Sequence, residues 1–187
     1  MDDKKYNLLD EPWICVMKEN GEVKELSLMD VLLHAHQYRR LAGELPTQDV
    51  AVLRLLLAVL QTVVYRYDTD GNEDELVETE DAYERWKEIW NEGKLPEKPI
   101  REYLTKWKER FYLYDSDRPF YQVPKAAIGT ECKAAKLNGE ISESSNKLRL
   151  FSNRAGKEKE FLSNSEAARW LLYLNGYDDT SAKPKEK

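Results

Sequence analysis

Three groups of residues carry side chains whose types and spacing suit chemistry. The first is Ser145-Asn146-Lys147, then Arg149, then Phe151-Ser152-Asn153-Arg154. Amides read base edges, an aromatic ring stacks on a base, and cations meet phosphates, so this is the palette of a nucleic-acid contact loop. From Lys147 to Lys159 there are five basic residues and one acidic. The same residues also suit a polar hairpin whose Phe151 packs inward, as phenylalanine usually does. The second group is the acidic run from Asp68 to Asp81, eight carboxylates in fourteen residues. Its opening, DTDGNEDELVET, departs from a calcium loop in two ways: glycine stands fourth rather than sixth, and Thr79 replaces the bidentate glutamate at the twelfth place. A metal-dependent nuclease would need a few of these carboxylates to converge in a cleft. A solvated turn and an acidic helix start fit the run better. The third group is His34 and His36, which point to different faces of a helix and are badly placed to share a metal.

The remaining catalytic patterns are missing. There is no G-x-S-x-G elbow, no Walker loop and no G-x-G-x-x-G, and no Ser-His-Asp or Cys-His set stands out. No catalytic residue, metal ligand set or cofactor is expected.

The elements that must position these groups are led by Leu45 to Tyr67, LPTQDVAVLRLLLAVLQTVVYRY. Between Val50 and Tyr65 only Arg54, Gln61 and Thr62 are polar, which predicts a helix surrounded by neighbours. Thr47 is expected to cap it and Asp49 to suit the positive end of its dipole. A membrane span needs about 20 predominantly apolar residues, and this run is shorter and broken by Arg54. Trp13 to Leu26 alternates around Asn20-Gly21, a strong hairpin signal. Ser27 is placed to cap a helix from Leu28 to about Leu41, ended by Gly43. Leu76, Tyr83, Trp86, Ile89 and Trp90 predict a helix held by buried aromatics and closed by Gly93. A further helix is predicted from Ile100 to about Tyr112, with Pro99 in its first turn and Tyr103, Leu104, Trp107 and Phe111 on its apolar face.

DSDRPFYQVP, from Asp115 to Pro124, reads as a turn and a short extended piece. Asn138-Gly139 repeats the hairpin signal. A last helix, capped by Ser163 or Ser165, is expected to pack Ala167, Trp170, Leu171 and Leu174 and to stop at Gly176. The order predicts an α+β fold, predominantly helical, with an N-terminal β-hairpin and short extended segments. Residues 1–176 form the expected domain and 177–187 a polar tail.

Composition narrows the function. The 187 residues suffice for one sizeable core, and the net charge of −6 is the wrong sign for an autonomous nucleic-acid binder. Cys15 and Cys132 are too few for a disulfide framework or zinc site, and MDDKKYNLLDEPW lacks the apolar region of a secretory signal. A cytoplasmic protein without membrane attachment is expected. Tyrosine and tryptophan outnumber phenylalanine four to one, a bias seen at wet interfaces.

Four stretches then carry a resemblance: NLLDEPWICV at Asn7–Val16, ELSLMDVLLHAH at Glu25–His36, AGELPTQDVAVLRLLLAVL at Ala42–Leu60 and FYLYDSDRPFYQVP at Phe111–Pro124. Together they resemble the CasA family, the large subunit of Cascade, the type I-E CRISPR surveillance complex. Phe151-Ser152-Asn153 resembles the family's Phe-x-Asn loop element, whose aromatic is assigned to target recognition. The resemblance implies a non-catalytic subunit. Its implied partners are other Cascade subunits, guide RNA, target double-stranded DNA in the assembled complex and the helicase-nuclease. It implies a role in recognising the target-adjacent motif and starting strand separation, while base pairing with the guide reads sequence. The match covers only the N-terminal part of the family, so a truncated chain or isolated domain is expected. The family's later glycine loop, lysine and wedge hairpin find no counterpart before Lys187. Two other readings remain open: a metal-dependent nuclease using the 68–81 carboxylates, and a purely protein-contacting scaffold.

Overall fold

Asn20-Gly21 turns the chain as its sequence demands. In the computed structural model, which describes residues 4–125, 134–137 and 160–177, Gly21 takes a left-handed φ of 85°. The hairpin around it pairs β2 (Ile14–Met17) with β3 (Val23–Leu26), in register from Ile14 opposite Leu26 to Met17 opposite Val23. β2 buries Ile14 and Val16 and leaves Cys15 and Met17 half-buried, the period-two pattern of a strand with one face on the core.

Beyond the hairpin the chain departs from its periodicity. Ser27 caps α1 (Leu28–Leu33), its hydroxyl accepting the Asp30 amide at 3.1 Å. The predicted helix to Leu41 stops here instead. A 3-10 turn at Ala35–Gln37 follows, and Arg40–Leu41 form β4, which pairs with β2 through Val16 and Met17. The sheet order is β3-β2-β4. β1 (Lys5–Asn7), placed before the hairpin, pairs with the distant β5 (Tyr112–Tyr114). Buried Asn7 secures that junction: its amide donates to the Lys108 carbonyl at 3.1 Å and its oxygen accepts the Leu9 amide at 3.0 Å.

The central helix is α2 (Pro46–Arg66), 21 residues long. Thr47 does not cap it. Pro46 occupies its first turn, where the missing N–H costs nothing, and the first-turn side chains reach back. Asp49 accepts the Gly43 amide at 2.7 Å and Gln48 accepts the Glu44 amide at 3.1 Å. A β-carbon on Gly43 would lie 2.7 Å from both accepting oxygens, so this glycine belongs to the start of α2 rather than to the end of α1.

α2 buries Ala51, Val52, Leu55, Leu56, Val59, Leu60, Val63 and Val64, each large side chain contributing roughly 1.5–3 kcal/mol. It is not surrounded on all sides as predicted: Val50, Leu53, Leu57 and Tyr65 are exposed. By length and composition alone α2 would cross a membrane, but half of the apolar stretch is buried within the fold. The elements packed on it are α6 (Asn164–Tyr177) and α4 (Glu97–Lys106).

α3 (Thr79–Glu92) begins with a capping box between Glu78 and Asp81 and ends at left-handed Gly93. It corrects the sequence reading, since Tyr83, Trp86 and Trp90 are exposed and the helix buries Arg85 and Ile89. α4 starts at Glu97, not Ile100, and gives way at Trp107 to a 3-10 turn, Lys108–Arg110. Ile100 and Leu104 are fully buried and Phe111 nearly so, whereas Trp107 is partly exposed. α5 (Ala134–Leu137) packs on α6. α6 continues past Gly176 to Tyr177, and its core-facing residues are Ala168, Arg169, Trp170 and Leu172. Among the described residues helices dominate, with two small antiparallel sheets, so the fold is α+β.

Candidate nucleic-acid and subunit interface

Asn146, Lys147, Arg149, Phe151, Ser152, Asn153 and Arg154 lie outside the described residues, as do Asn138-Gly139 and the tail from 178. The structure shows what stands on either side. Downstream, Ser163 accepts the Glu166 amide at 3.2 Å and Glu166 accepts the Ser163 amide at 2.7 Å, a reciprocal cap that fixes the start of α6. The Tyr114 hydroxyl donates to Asn164 at 3.0 Å and ties this cap to β5.

Arg169 then anchors α6 to the N-terminal hairpin. Its guanidinium donates to the Trp13 carbonyl at 2.7 Å and to the Glu25 carboxylate at 2.6 Å. Trp170 donates to Glu44 at 3.0 Å, ahead of α2. Cys15 lies beside this junction, 3.7 Å from Glu25. Burial, reinforced by that carboxylate, pushes its thiol up to about 11, so it stays neutral and unreactive at physiological pH. The junction is structural.

Upstream, Phe111 stacks on Phe120 at 5.7 Å between ring centres, and Phe120 meets Tyr121 at 4.8 Å. These rings, with Arg110, Arg118 and Gln122, line a groove of about 520 Å³. The Gln122 amide donates to the Leu113 carbonyl at 2.8 Å, and Asp117 pairs with Arg118 at 3.1 Å. The Asp115 carboxylate accepts the Asp117 and Arg118 amides, which hold it below the usual carboxylate range. An apolar wall with a cationic rim suits a ring or an apolar side chain. Only the run Arg118, Phe120, Tyr121, Gln122 hinted at this groove in the sequence.

The acidic run forms the opposite kind of surface. Asp68 accepts the backbone and side-chain amides of Asn72 at 2.7 and 2.8 Å, and the Asn72 side chain is foremost in holding its carboxyl below the ordinary range. Arg85 donates to the carbonyls of Val64 at 2.8 Å and Asp74 at 2.9 Å and pairs with the Asp74 carboxylate. Arg85 also lines a groove with Asp74, Asp81, Glu84 and Glu88. Among the described residues no three His, Cys, Asp or Glu side chains are grouped to hold a metal.

The profile of the CRISPR-associated protein Cse1 family matches residues 7–185. The chain belongs to that family. The CasA/Cse1 protein of Thermus thermophilus is 34% identical over 169 residues, covering 90% of this chain and 31% of that protein. The crystal structure of Thermobifida fusca Cse1 superposes with a TM-score of 0.70 at 34% identity, over 95% of this chain and 31% of the other. A CRISPR RNA-guided surveillance complex captured before nicking contains a chain with the same fold, TM-score 0.70 at 20% identity, over 91% of this chain and 34% of that one. The chain thus spans about a third of the length of these Cse1 relatives.

Proposed function

We propose that the chain is the N-terminal part of the large, non-catalytic subunit of a type I-E CRISPR surveillance complex, acting in the cytoplasm. The observation that carries this reading is the Cse1 family match along nearly the whole chain, supported by the fold shared with an RNA-guided complex. In that complex the subunit helps recognise the target-adjacent motif, starts strand separation and recruits the helicase-nuclease. The guide RNA supplies sequence recognition by base pairing.

The division of charge favours a contact away from α3. Residues 68–92 hold eleven acidic and two basic residues, a net −9 in a chain whose total is −6, so the remainder is net positive at +3. Nucleic acid is repelled from the first region and accommodated by the second. Within the positive part, Phe151 offers a stacking ring, Asn146, Ser152 and Asn153 offer hydrogen bonds, and Lys147, Arg149 and Arg154 offer phosphate contacts.

The chain is added to a guide-loaded complex lacking its large subunit, and target binding is followed by gel shift. Co-elution and restored binding are expected, with Phe151→Ala weakening target affinity about tenfold, the loss of one stacked base. Failure to co-elute overturns the subunit assignment. Full affinity in Phe151→Ala overturns the role of that loop alone. Cleavage of labelled DNA by the chain with magnesium or manganese would reinstate the nuclease reading.

A further inference from the structure

α3 has three faces. Ala82, Arg85 and Ile89 turn toward the body, Arg85 and Ile89 buried and Ala82 partly so. Tyr83, Trp86 and Trp90 are 69, 43 and 84% exposed. At helical pitch these three rings fall within a sector of about 60°. The neighbouring sector carries Glu80, Glu84 and Glu88, with Lys87 on the border between the two, all exposed. An aromatic stripe thus runs beside a carboxylate stripe on one solvent-facing helix.

Among the described residues neither stripe fastens the helix. α3 is fastened by Arg85, whose hydrogen bonds reach Val64 and Asp74, and by Ile89. Two tryptophans and a tyrosine left in water forgo their burial energy, and tryptophan and tyrosine are the residues that dominate protein interfaces. Covering the three rings would remove roughly 450 Å² of surface, about half of one side of a standard interface. The carboxylates select the occupant. Nucleic acid is repelled, and a second α3 face would bring like charges together. A segment presenting lysines or arginines next to apolar side chains matches both stripes.

We propose that the Tyr83, Trp86 and Trp90 face of α3 is a docking surface for a basic, amphipathic segment of a partner protein. This is independent of the Phe151 loop and of the assembled complex, so either assignment can fail alone.

The probe is a helical peptide with leucines on one face and lysines on the other, beside a scrambled peptide of the same charge. Tryptophan emission of the full chain is recorded during titration. The amphipathic peptide is expected to shift emission to the blue and to bind about tenfold more tightly than its scramble, since ring burial requires the apolar face. Trp90→Ala is expected to weaken binding about tenfold. Glu84→Gln with Glu88→Gln should weaken it and flatten its salt dependence. Equal binding of the two peptides, or unchanged affinity in Trp90→Ala, overturns the proposal. Concentration-dependent self-association abolished by Trp90→Ala also overturns it, because the occupant is then a second copy. A duplex oligonucleotide that competes for the face overturns the charge argument.

Discussion

α2 and α3 both carry bulky apolar side chains at helical spacing, but they are held by different forces. α2 is wedged between α6 and α4 and buries eight aliphatic side chains. α3 lies on the body through Ile89 and one arginine, and turns its largest rings to water. The first helix is a product of apolar packing. The second is a product of directional hydrogen bonds from a guanidinium to two carbonyls and a carboxylate. An apolar helix face therefore specifies that something must cover it, without specifying whether the cover is in the same chain.

The contrast is broken hardest by emptying α2. Leu56→Ala should cost about 2–5 kcal/mol of global stability, read as a lower urea midpoint with unchanged slope. Arg85→Ala comes next, at about 2 kcal/mol, because it strips charged hydrogen bonds from buried carbonyls while Asp74 remains 62% exposed and regains water. Its mark is location: hydrogen exchange should speed up in α3 with α2 still protected. Loss of protection in both helices would show that α3 is integral to the core. Trp90→Ala should move stability by no more than about 0.5 kcal/mol, as expected for an exposed position. A larger loss would place that ring inside the fold and remove the contrast.

The sequence was most readable where a local rule and the tertiary environment agreed. Asn20-Gly21 set a hairpin, Ser27 capped a helix, Ser163 capped another, and the long apolar run became α2. It was least readable where the partner is distant. Arg40–Leu41 looked helical by spacing but joins β2, because pairing with Val16 and Met17 outweighs a weak helical preference. Thr47 has the chemistry of a cap, yet Pro46 preset the turn one residue earlier and Gln48 and Asp49 took over the amides. The rings of α3 followed a helical period that carries no information about what lies opposite. Of the candidate contact loop, residue types and the Phe-x-Asn resemblance were legible, and 146–154 lies outside the described residues. The groove around Tyr121 was legible only as residue types, because nothing within residues 110–124 says that Phe120 folds back onto Phe111 or that the stretch meets Leu55 of α2.

The clasp between Arg169 and the Trp13 carbonyl joins positions 156 residues apart. A ribosome making this protein releases the hairpin early and keeps the residue that locks it until nearly the whole stretch has emerged. Until then the α2 side chains that α6 will cover are open to chaperones. The nascent chain has to extend past residue 169 before α6 can clasp the hairpin, so the pace of translation between the two sets how long that face of α2 stays open.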